Sequence, residues 1–188
     1  VSGASLACIG THMMDEEELP LLAWCCDAWS ALSEKAPRFE YSRSGQLRFL
    51  KHDGERRSAE TWIGIERAAG LSPELLEPEA VRRIEPELTG PIVAATWSPN
   101  SATVNPFLAV RTLIDAARAD GATIVAGAAA TRLVTSGGAI TGVETALGRF
   151  EAPLVVIAGG PWTQTLAATA GVDMPIVPRK AQCLATVA

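Results

Sequence analysis

The stretch Leu154-Val155-Val156-Ile157-Ala158-Gly159-Gly160-Pro161-Trp162 gives the strongest indication of fold in this chain. Five successive apolar residues are typical of a parallel β-strand covered on both faces. The two glycines that follow predict a tight turn where backbone can approach a ligand that a side chain would keep away. Because open α/β sheets bind ligands at the carboxyl ends of their strands, the stretch predicts a ligand site at this turn.

Helix and strand patterns alternate along the rest of the chain. Helical periodicity covers 15–35 and 58–69, a short helix is predicted over 79–84, and a further helix follows the turn from Trp162. Asn105 and Pro106 predict the start of another helix, with Asn105 as its cap. A hairpin is predicted over 39–51, and strands over 92–97, 123–126, 131–134 and 139–145, with Ser136-Gly137-Gly138 as a turn and a last strand from Ile176 onward. We therefore expect an α/β fold of mixed α+β character.

Composition narrows the possible functions. The 188 residues are 48% hydrophobic and 20% charged, as in ordinary globular proteins. A net charge of −5 leaves no basic surplus to neutralise phosphates, which argues against a nucleic-acid partner. No apolar stretch approaches the roughly 18 residues of a membrane span.

The four cysteines form no CxxC motif, and two histidines supply few metal ligands, so we expect no metal site. Reduced thiols in a cytoplasmic protein are the predicted state. The chain begins at Val1 without an initiator methionine, and it ends within an apolar, strand-like run over 183–188. We therefore expect it to be a fragment of a longer protein.

Several segments together resemble one enzyme superfamily. Gly121-Ala-Thr-Ile-Val, Gly142-Val-Glu-Thr and the stretch that ends at Trp162 resemble, in order and spacing, the FAD-dependent amine oxidoreductases of the D-amino-acid oxidase, glycine oxidase and sarcosine oxidase type. The resemblance implies FAD as the cofactor. It also implies a partial FAD-binding Rossmann-like layer, 1–35 and 98–173, interleaved with an antiparallel-sheet substrate-binding region, 36–97 and 174–188.

The implied activity is oxidation of a C–N bond in a small amino acid, N-methyl amino acid, imino acid or opine, by hydride transfer to the flavin. The implied partners are this small-molecule substrate and a partner subunit or a second copy of the chain. Two alternatives stay open: a truncated or non-catalytic flavoprotein scaffold, and a dehydrogenase that delivers electrons to a quinone. The family's GxGxxG motif does not occur in this sequence and would precede residue 1, while the segment that completes the flavin site would follow residue 188.

The resemblance assigns cofactor contacts near both ends of the FAD. Ser2, Gly3 and Ser5 lie in a small polar loop that would pass the pyrophosphate, although an ordinary linker has the same composition. His12 would lie beside the isoalloxazine ring, whereas a lone histidine is more often a surface or core residue. Ala130 matches a strand position whose backbone hydrogen-bonds the adenine, a contact that any side chain permits.

The remaining assignments concern the glycine turn and the end of the chain. Ala158, Gly159, Gly160 and Trp162 match a turn that packs against the cofactor, with the following helix beginning beside its phosphates. A simple strand-to-helix turn is the alternative. Arg179 and Lys180 match a segment that approaches the flavin or the substrate carboxylate, where a basic side chain could pair with an acid. A solvated charge pair explains them equally well. The sequence identifies no catalytic residue.

Overall fold

The computed structural model describes residue 5, residues 7–12 and residues 14–178. Within the chain, contacts separate a first unit, residues 1–120, from a second unit, residues 121–188. The two units combine helices with antiparallel sheets, in agreement with the predicted mixture of α and β structure. The interleaved division into an FAD-binding and a substrate-binding region stays a prediction.

The first unit contains five strands and four helices among its described residues: β1 (Cys8–Ile9), α1 (Leu19–Lys35), β2 (Gln46–Leu50), α2 (Asp53–Ala68), β3 (Glu74–Leu76), α3 (Pro78–Ile84), β4 (Ala94–Ser98), β5 (Ala102–Thr103) and α4 (Pro106–Ala119). Strand β4 lies between β2 and β3 and is antiparallel to both. Strand β1 pairs with β5, which places the chain segment before α1 beside the end of the β4–β5 connection.

A small apolar core joins α2 to this sheet. Leu50 of β2 lies opposite Ala94 of β4, and both pack against Ala59 of α2, with Leu75 and Val93 at the edge. Ala59 and Ala94 are fully buried. Because alternate strand residues point to the same face, Thr96 lies on the α2 side of the sheet together with Ala94.

The predicted start of α4 is confirmed. The side-chain oxygen of Asn105 accepts hydrogen bonds from the backbone N–H groups of Phe107, at 3.2 Å, and Leu108, at 3.3 Å. Pro106 occupies the first turn, where its missing N–H would have no helical partner. The cap and the proline together determine where this helix begins.

The second unit is a three-stranded meander followed by a short helix. Strands β6 (Ala130–Ser136), β7 (Ala139–Thr145) and β8 (Gly148–Glu151) pair in sequence order, and α5 (Thr163–Ala168) follows a 3-10 turn, Gly160–Trp162. The turn predicted at Ser136-Gly137-Gly138 is confirmed: Gly137 and Gly138 connect β6 to β7, and both have positive φ. Strand β8 was not predicted.

The prediction of a buried parallel strand over 154–158 is wrong. These residues belong to no strand, and the side chains of Leu154 and Val156 are 77% and 82% exposed. A parallel strand requires hydrogen-bonded neighbours on the sheet. All strand pairs in the described part of the chain are antiparallel, and none includes this segment. The apolar run therefore lies outside any strand, in the connection between β8 and the turn before α5.

Two further element predictions were wrong, and a third, the last strand, falls mostly outside the described residues. Of the predicted hairpin over 39–51, only β2 forms, and it pairs with β4, while Phe39 ends a 3-10 turn and packs edge-on against Trp29 with ring centroids 5.6 Å apart. The predicted strand over 123–126 is absent, and Ile124 and Val125 are each 43% exposed. Residues 176–178, the described part of the predicted last strand, are not in a strand.

Candidate functional site

A pocket of about 430 Å³ lies in the second unit, between the start of β6 and the turn before α5. Its volume is within the range of about 300–1,000 Å³ that is usual for small-molecule sites. The lining residues are Ala129, Ala130, Thr131, Ile157, Gly159, Trp162, Thr165 and Leu166. Three predicted cofactor contacts, Ala130, Gly159 and Trp162, thus meet at one mainly apolar cavity.

The two glycines of the turn differ in what requires them. Gly160 has a φ of +53°, a left-handed conformation that side chains disfavour, so its backbone alone accounts for glycine. Gly159 has φ −82° and ψ 2°, which other residues adopt, and an added Cβ would lie 3.4 Å from the backbone nitrogen of Thr163, an ordinary contact. Neither backbone strain nor protein packing requires glycine at 159, and this position lines the pocket.

Among the other predicted contacts in the turn, Trp162 lines the pocket, whereas Ala158 and Gly160 do not. The Trp162 side chain is 63% exposed, which leaves its indole ring free to contact a ligand. Ala158 and Gly160 are adjacent in sequence to Gly159 but are not among the lining residues. The helix predicted after the turn is α5, which begins at Thr163 and is only six residues long.

Strand β6 is held at its pocket end by an ion pair. Arg132, two residues after Ala130, lies opposite Glu144 of β7. Its guanidinium donates hydrogen bonds to both carboxylate oxygens of Glu144 and holds the pKa of that carboxyl below its usual value. Thr169 also accepts a hydrogen bond from the Leu133 backbone N–H, at 2.9 Å, which ties the end of α5 to the same strand.

His12 lies in the first unit, where its imidazole is buried between α2 and β4. Its Nδ1 is 3.3 Å from both carboxylate oxygens of Glu66, and its Nε2 is hydrogen-bonded to the Thr96 hydroxyl. Both ring nitrogens therefore contact protein groups. The His12 and Glu66 side chains are each only 1% exposed.

Sequence reasoning missed Glu66 and Thr96 as partners of His12. A signal for Glu66 was present, because it falls on the buried stripe of α2 with Ala59 and Ile63, at spacings of four and three. A glutamate on the apolar face of a helix is rarely buried without a charged or hydrogen-bonding partner. The partner itself, 54 positions away, leaves no local pattern.

The order carboxylate, imidazole, hydroxyl in Glu66, His12 and Thr96 matches the order of a serine-hydrolase triad. In this protein the hydroxyl cannot act as a nucleophile on a substrate, because Thr96 is fully buried. The arrangement therefore supports no acyl-transfer activity.

Ser5 lies at the edge of a different cavity in the first unit. Its hydroxyl accepts a hydrogen bond from the Ala7 backbone N–H at 3.0 Å, and the cavity of about 310 Å³ is lined mainly by apolar residues of α1 and α4 and the segment 7–9. The other loop residues predicted to bind pyrophosphate, Ser2 and Gly3, lie outside the described residues. So do Arg179 and Lys180.

The cysteines and acidic residues show no metal centre in the described part of the chain, where no three potential ligands cluster. Cys8, Cys25 and Cys26 are free thiols. Burial, with the neighbouring Asp27, raises the pKa of the Cys26 thiol, which favours the protonated form. None of the helices in residues 14–178 combines the length and apolar character needed to cross a membrane.

Curated sequences and solved structures include clear relatives of this chain. A D-amino acid dehydrogenase of Neisseria meningitidis serogroup C is 31% identical over 149 residues, 78% of this chain and 36% of the relative. An L-proline dehydrogenase from P. horikoshii superimposes with a TM-score of 0.84 at 26% identity, over 90% of this chain and 45% of that one. An L-amino acid deaminase from Proteus myxofaciens gives a TM-score of 0.85 at 25% identity, over 93% and 40%.

The chain thus spans less than half the length of each of these relatives. The family model described as DAO, FAD-dependent oxidoreductase, matches residues 1–188, the whole of the chain. Fold, sequence similarity and the family match agree, and the chain belongs to the DAO family of FAD-dependent oxidoreductases.

Proposed function

We propose that this protein oxidises a C–N bond of a small amino acid, N-methyl amino acid, imino acid or opine. The proposal is supported by family membership and by the names of three relatives, a D-amino acid dehydrogenase, an L-proline dehydrogenase and an L-amino acid deaminase. These names share an amino-acid substrate and differ in its configuration, so the proposal concerns the substrate class. FAD, when bound, would accept the hydride from the substrate α-carbon.

The observation that supports this function most directly is the pocket shared by Ala130, Gly159 and Trp162. We assign to this pocket the adenosine side of FAD. The Ala130 backbone would hydrogen-bond the adenine, and Trp162 would supply apolar contact area. Gly159 would let the cofactor approach the backbone, which explains a glycine that neither its φ nor its protein neighbours require.

The remaining cofactor and substrate residues extend this proposal to the rest of the FAD. Ser2, Gly3 and Ser5 would pass the pyrophosphate, and the segment that contains His12 would run along the flavin ring. Ala158 and Gly160 would support the turn around Gly159. Arg179 and Lys180 would bring positive charge to the substrate carboxylate. A cytoplasmic location and a partner subunit or homo-oligomer also belong to this proposal.

Flavin retention by the purified protein tests the pocket. Gly159→Val places a branched side chain where the cofactor would approach, and we expect at least about a tenfold loss of FAD affinity, equivalent to about 1.4 kcal/mol. Gly90→Val is the matched control, because an added Cβ at Gly90 meets no atom within 4 Å. The measurements are the ratio of flavin to protein absorbance and an FAD titration of each apoprotein. Full flavin content in Gly159→Val would reject the site.

Turnover tests the substrate class. Purified protein would be assayed with D- and L-amino acids, proline, glycine and N-methylglycine, using oxygen or a quinone as the electron acceptor. We expect a ketoacid or imine-derived product from one group of these compounds, and the acceptor that supports turnover separates an oxidase from a dehydrogenase.

A non-catalytic flavoprotein scaffold is the alternative to this proposal. A scaffold would be folded and colourless, and would turn over none of the tested substrates after FAD is added. Flavin absorbance together with turnover would reject it.

A further inference from the structure

We infer that Glu66 is a positioning residue for His12: Glu66 and Thr96 together hold the imidazole in one orientation with hydrogen on Nδ1. Held in this way, His12 fixes the chain segment Gly10-Thr11-His12. The inferred effect on the flavin rests on the proposed function, which places this segment along the flavin ring. The inference about the imidazole itself rests on the contacts alone.

The hydrogen-bonding groups around His12 determine its tautomer. In the inferred arrangement Nδ1, 3.3 Å from both oxygens of Glu66, donates to the carboxylate, which in its ionised form only accepts hydrogen bonds. The neutral imidazole then has an acceptor at Nε2, and the Thr96 hydroxyl donates to it. A histidine whose second nitrogen is held by a carboxylate is fixed in tautomer and ring orientation, as for metal-binding and catalytic histidines.

The segment before His12 is held just as closely by other groups. Cys8 and Ile9 pair with Thr103 and Ala102 across β1 and β5. At Gly10 an added Cβ would lie 2.9 Å from the Ser101 Oγ, so this position accepts no side chain without displacing that hydroxyl. The segment has therefore two fixed points, the β1–β5 pairing before Gly10 and the imidazole contacts after it.

Buried polar groups concentrate around this segment. Six of the seven buried polar or charged residues in the described chain lie in the first unit: Thr11, His12, Glu66, Thr96, Ser98 and Ser101. The Ser101 hydroxyl lies within hydrogen-bonding distance of the Ser98 Oγ, at 3.2 Å. Apolar side chains would fill the same space without desolvating a charged group, whereas a hydrogen-bonded network specifies one geometry. The His12, Glu66 and Thr96 side chains and the Ser98–Ser101 pair are hydrogen-bonded, whereas the buried Thr11 hydroxyl has no hydrogen-bond partner among the described residues. The hydrogen-bonded groups support a positional role.

Histidine NMR tests the tautomer in the purified protein. The chain has two histidines, and a His52→Gln variant assigns their signals. At pH 7.5 we expect His12 to show a protonated Nδ1 and an unprotonated Nε2. Glu66→Gln, whose amide oxygen can still accept from Nδ1, should keep this pattern. Glu66→Leu should lose it in a folded protein. Protonation on Nε2 alone in the wild type, or an unchanged pattern in folded Glu66→Leu, would overturn the inference.

Flavin spectra and kinetics test the consequence for function. We expect Glu66→Leu to shift the visible flavin spectrum and to lower kcat about tenfold, with FAD retention unchanged and partial rescue in Glu66→Gln. If Glu66→Leu does not fold, Thr96→Val takes its place, because it removes the hydroxyl and keeps the shape of the side chain. A wild-type spectrum and kcat in the folded variant would overturn the positioning role.

The two readouts separate this inference from the proposed function. The NMR measurement requires no flavin and decides the tautomer in either case. If the wild type bound no FAD and oxidised no amine, the proposed function would fail. The histidine NMR signals would still decide whether His12 carries its hydrogen on Nδ1.

Discussion

Arg132 and Glu144 face each other across β6 and β7 and form a two-point ion pair, with Arg132 Nε 3.0 Å from Glu144 Oε2 and Nη2 2.5 Å from Oε1. The pair follows a register shift between Ala130 and Arg132. Regular pairing with β7 resumes at Arg132, two residues after Ala130, which lines the pocket of the second unit.

This ion pair predicts a specific dependence of stability on pH. The hydrogen bond from Arg132 lowers the pKa of Glu144, so the pair stabilises the fold above the unfolded-state pKa, about 4.3, and this contribution is lost as pH falls through the lower folded-state value. Glu144→Gln should be less stable than the wild type at pH 7, and the two proteins should converge at strongly acidic pH.

Urea unfolding midpoints of both proteins, measured from pH 7 downward, check this prediction. Added salt should also reduce the difference at pH 7, because both side chains are partly exposed, at 51% and 40%. A difference between the two proteins that stays constant across the whole pH range would contradict the assigned pair.

Replacement of the helix cap at Asn105 should weaken α4. Asn105→Ala removes the acceptor for two backbone N–H groups and should lower the free energy of unfolding by about 1 kcal/mol. Asn105→Ser, which can still cap, should retain most of the stability. Chemical denaturation of the three proteins measures the effect, and equal stability of the serine and alanine variants would argue against the cap.

Truncation of Leu50 should be among the most destabilising changes in the first unit. Leu50 is 2% exposed and packs on Ala59 and Ala94, and a leucine-to-alanine change in such a core costs about 2–5 kcal/mol. Leu147→Ala is the control, because Leu147 is 63% exposed and its truncation should change stability by less than about 0.5 kcal/mol. A loss of similar size in both variants would show that Leu50 lies outside the stabilising core.

The pocket assignment also predicts different roles for two exposed tryptophans. Trp162 and Trp24 are 63% and 66% exposed, but only Trp162 lines the pocket assigned to adenosine. Trp162→Ala should lower FAD affinity several-fold with little change in stability, and Trp24→Ala should leave FAD affinity unchanged. Titration of the two apoproteins with FAD measures both effects. Equal affinities would remove Trp162 from the cofactor site.

Part of the fold was predictable because its determinants are local. The start of α4 depends on Asn105 and Pro106, and the turn between β6 and β7 depends on Gly137 and Gly138. Each structure is decided by a few consecutive residues whose backbone preferences and hydrogen bonds act over one turn. The prediction of a strand over 154–158 was wrong, because an apolar run forms a buried strand only when neighbouring strands pair with it.

The candidate site depends partly on residues predicted from the sequence and partly on contacts that only the structure shows. The resemblance to the family predicted Gly159, Trp162 and Ala130 as cofactor contacts. In the structure the three residues line one pocket. The difference between Gly159 and Gly160 could not be predicted from sequence, because consecutive glycines look alike until their φ values and neighbours are known.

By itself, the sequence determined the family, the mixture of helices and strands, the start of α4 and the turn between β6 and β7. The family depends on the order and spacing of short motifs, and the helix start and the turn depend on a few consecutive residues. Only the tertiary structure decided that β2 pairs with β4 and that Glu66 and Thr96 meet at His12. Contacts between residues so far apart in sequence depend on how α2 packs across the sheet. That packing is a collective result of the buried apolar face and is recorded in no single motif.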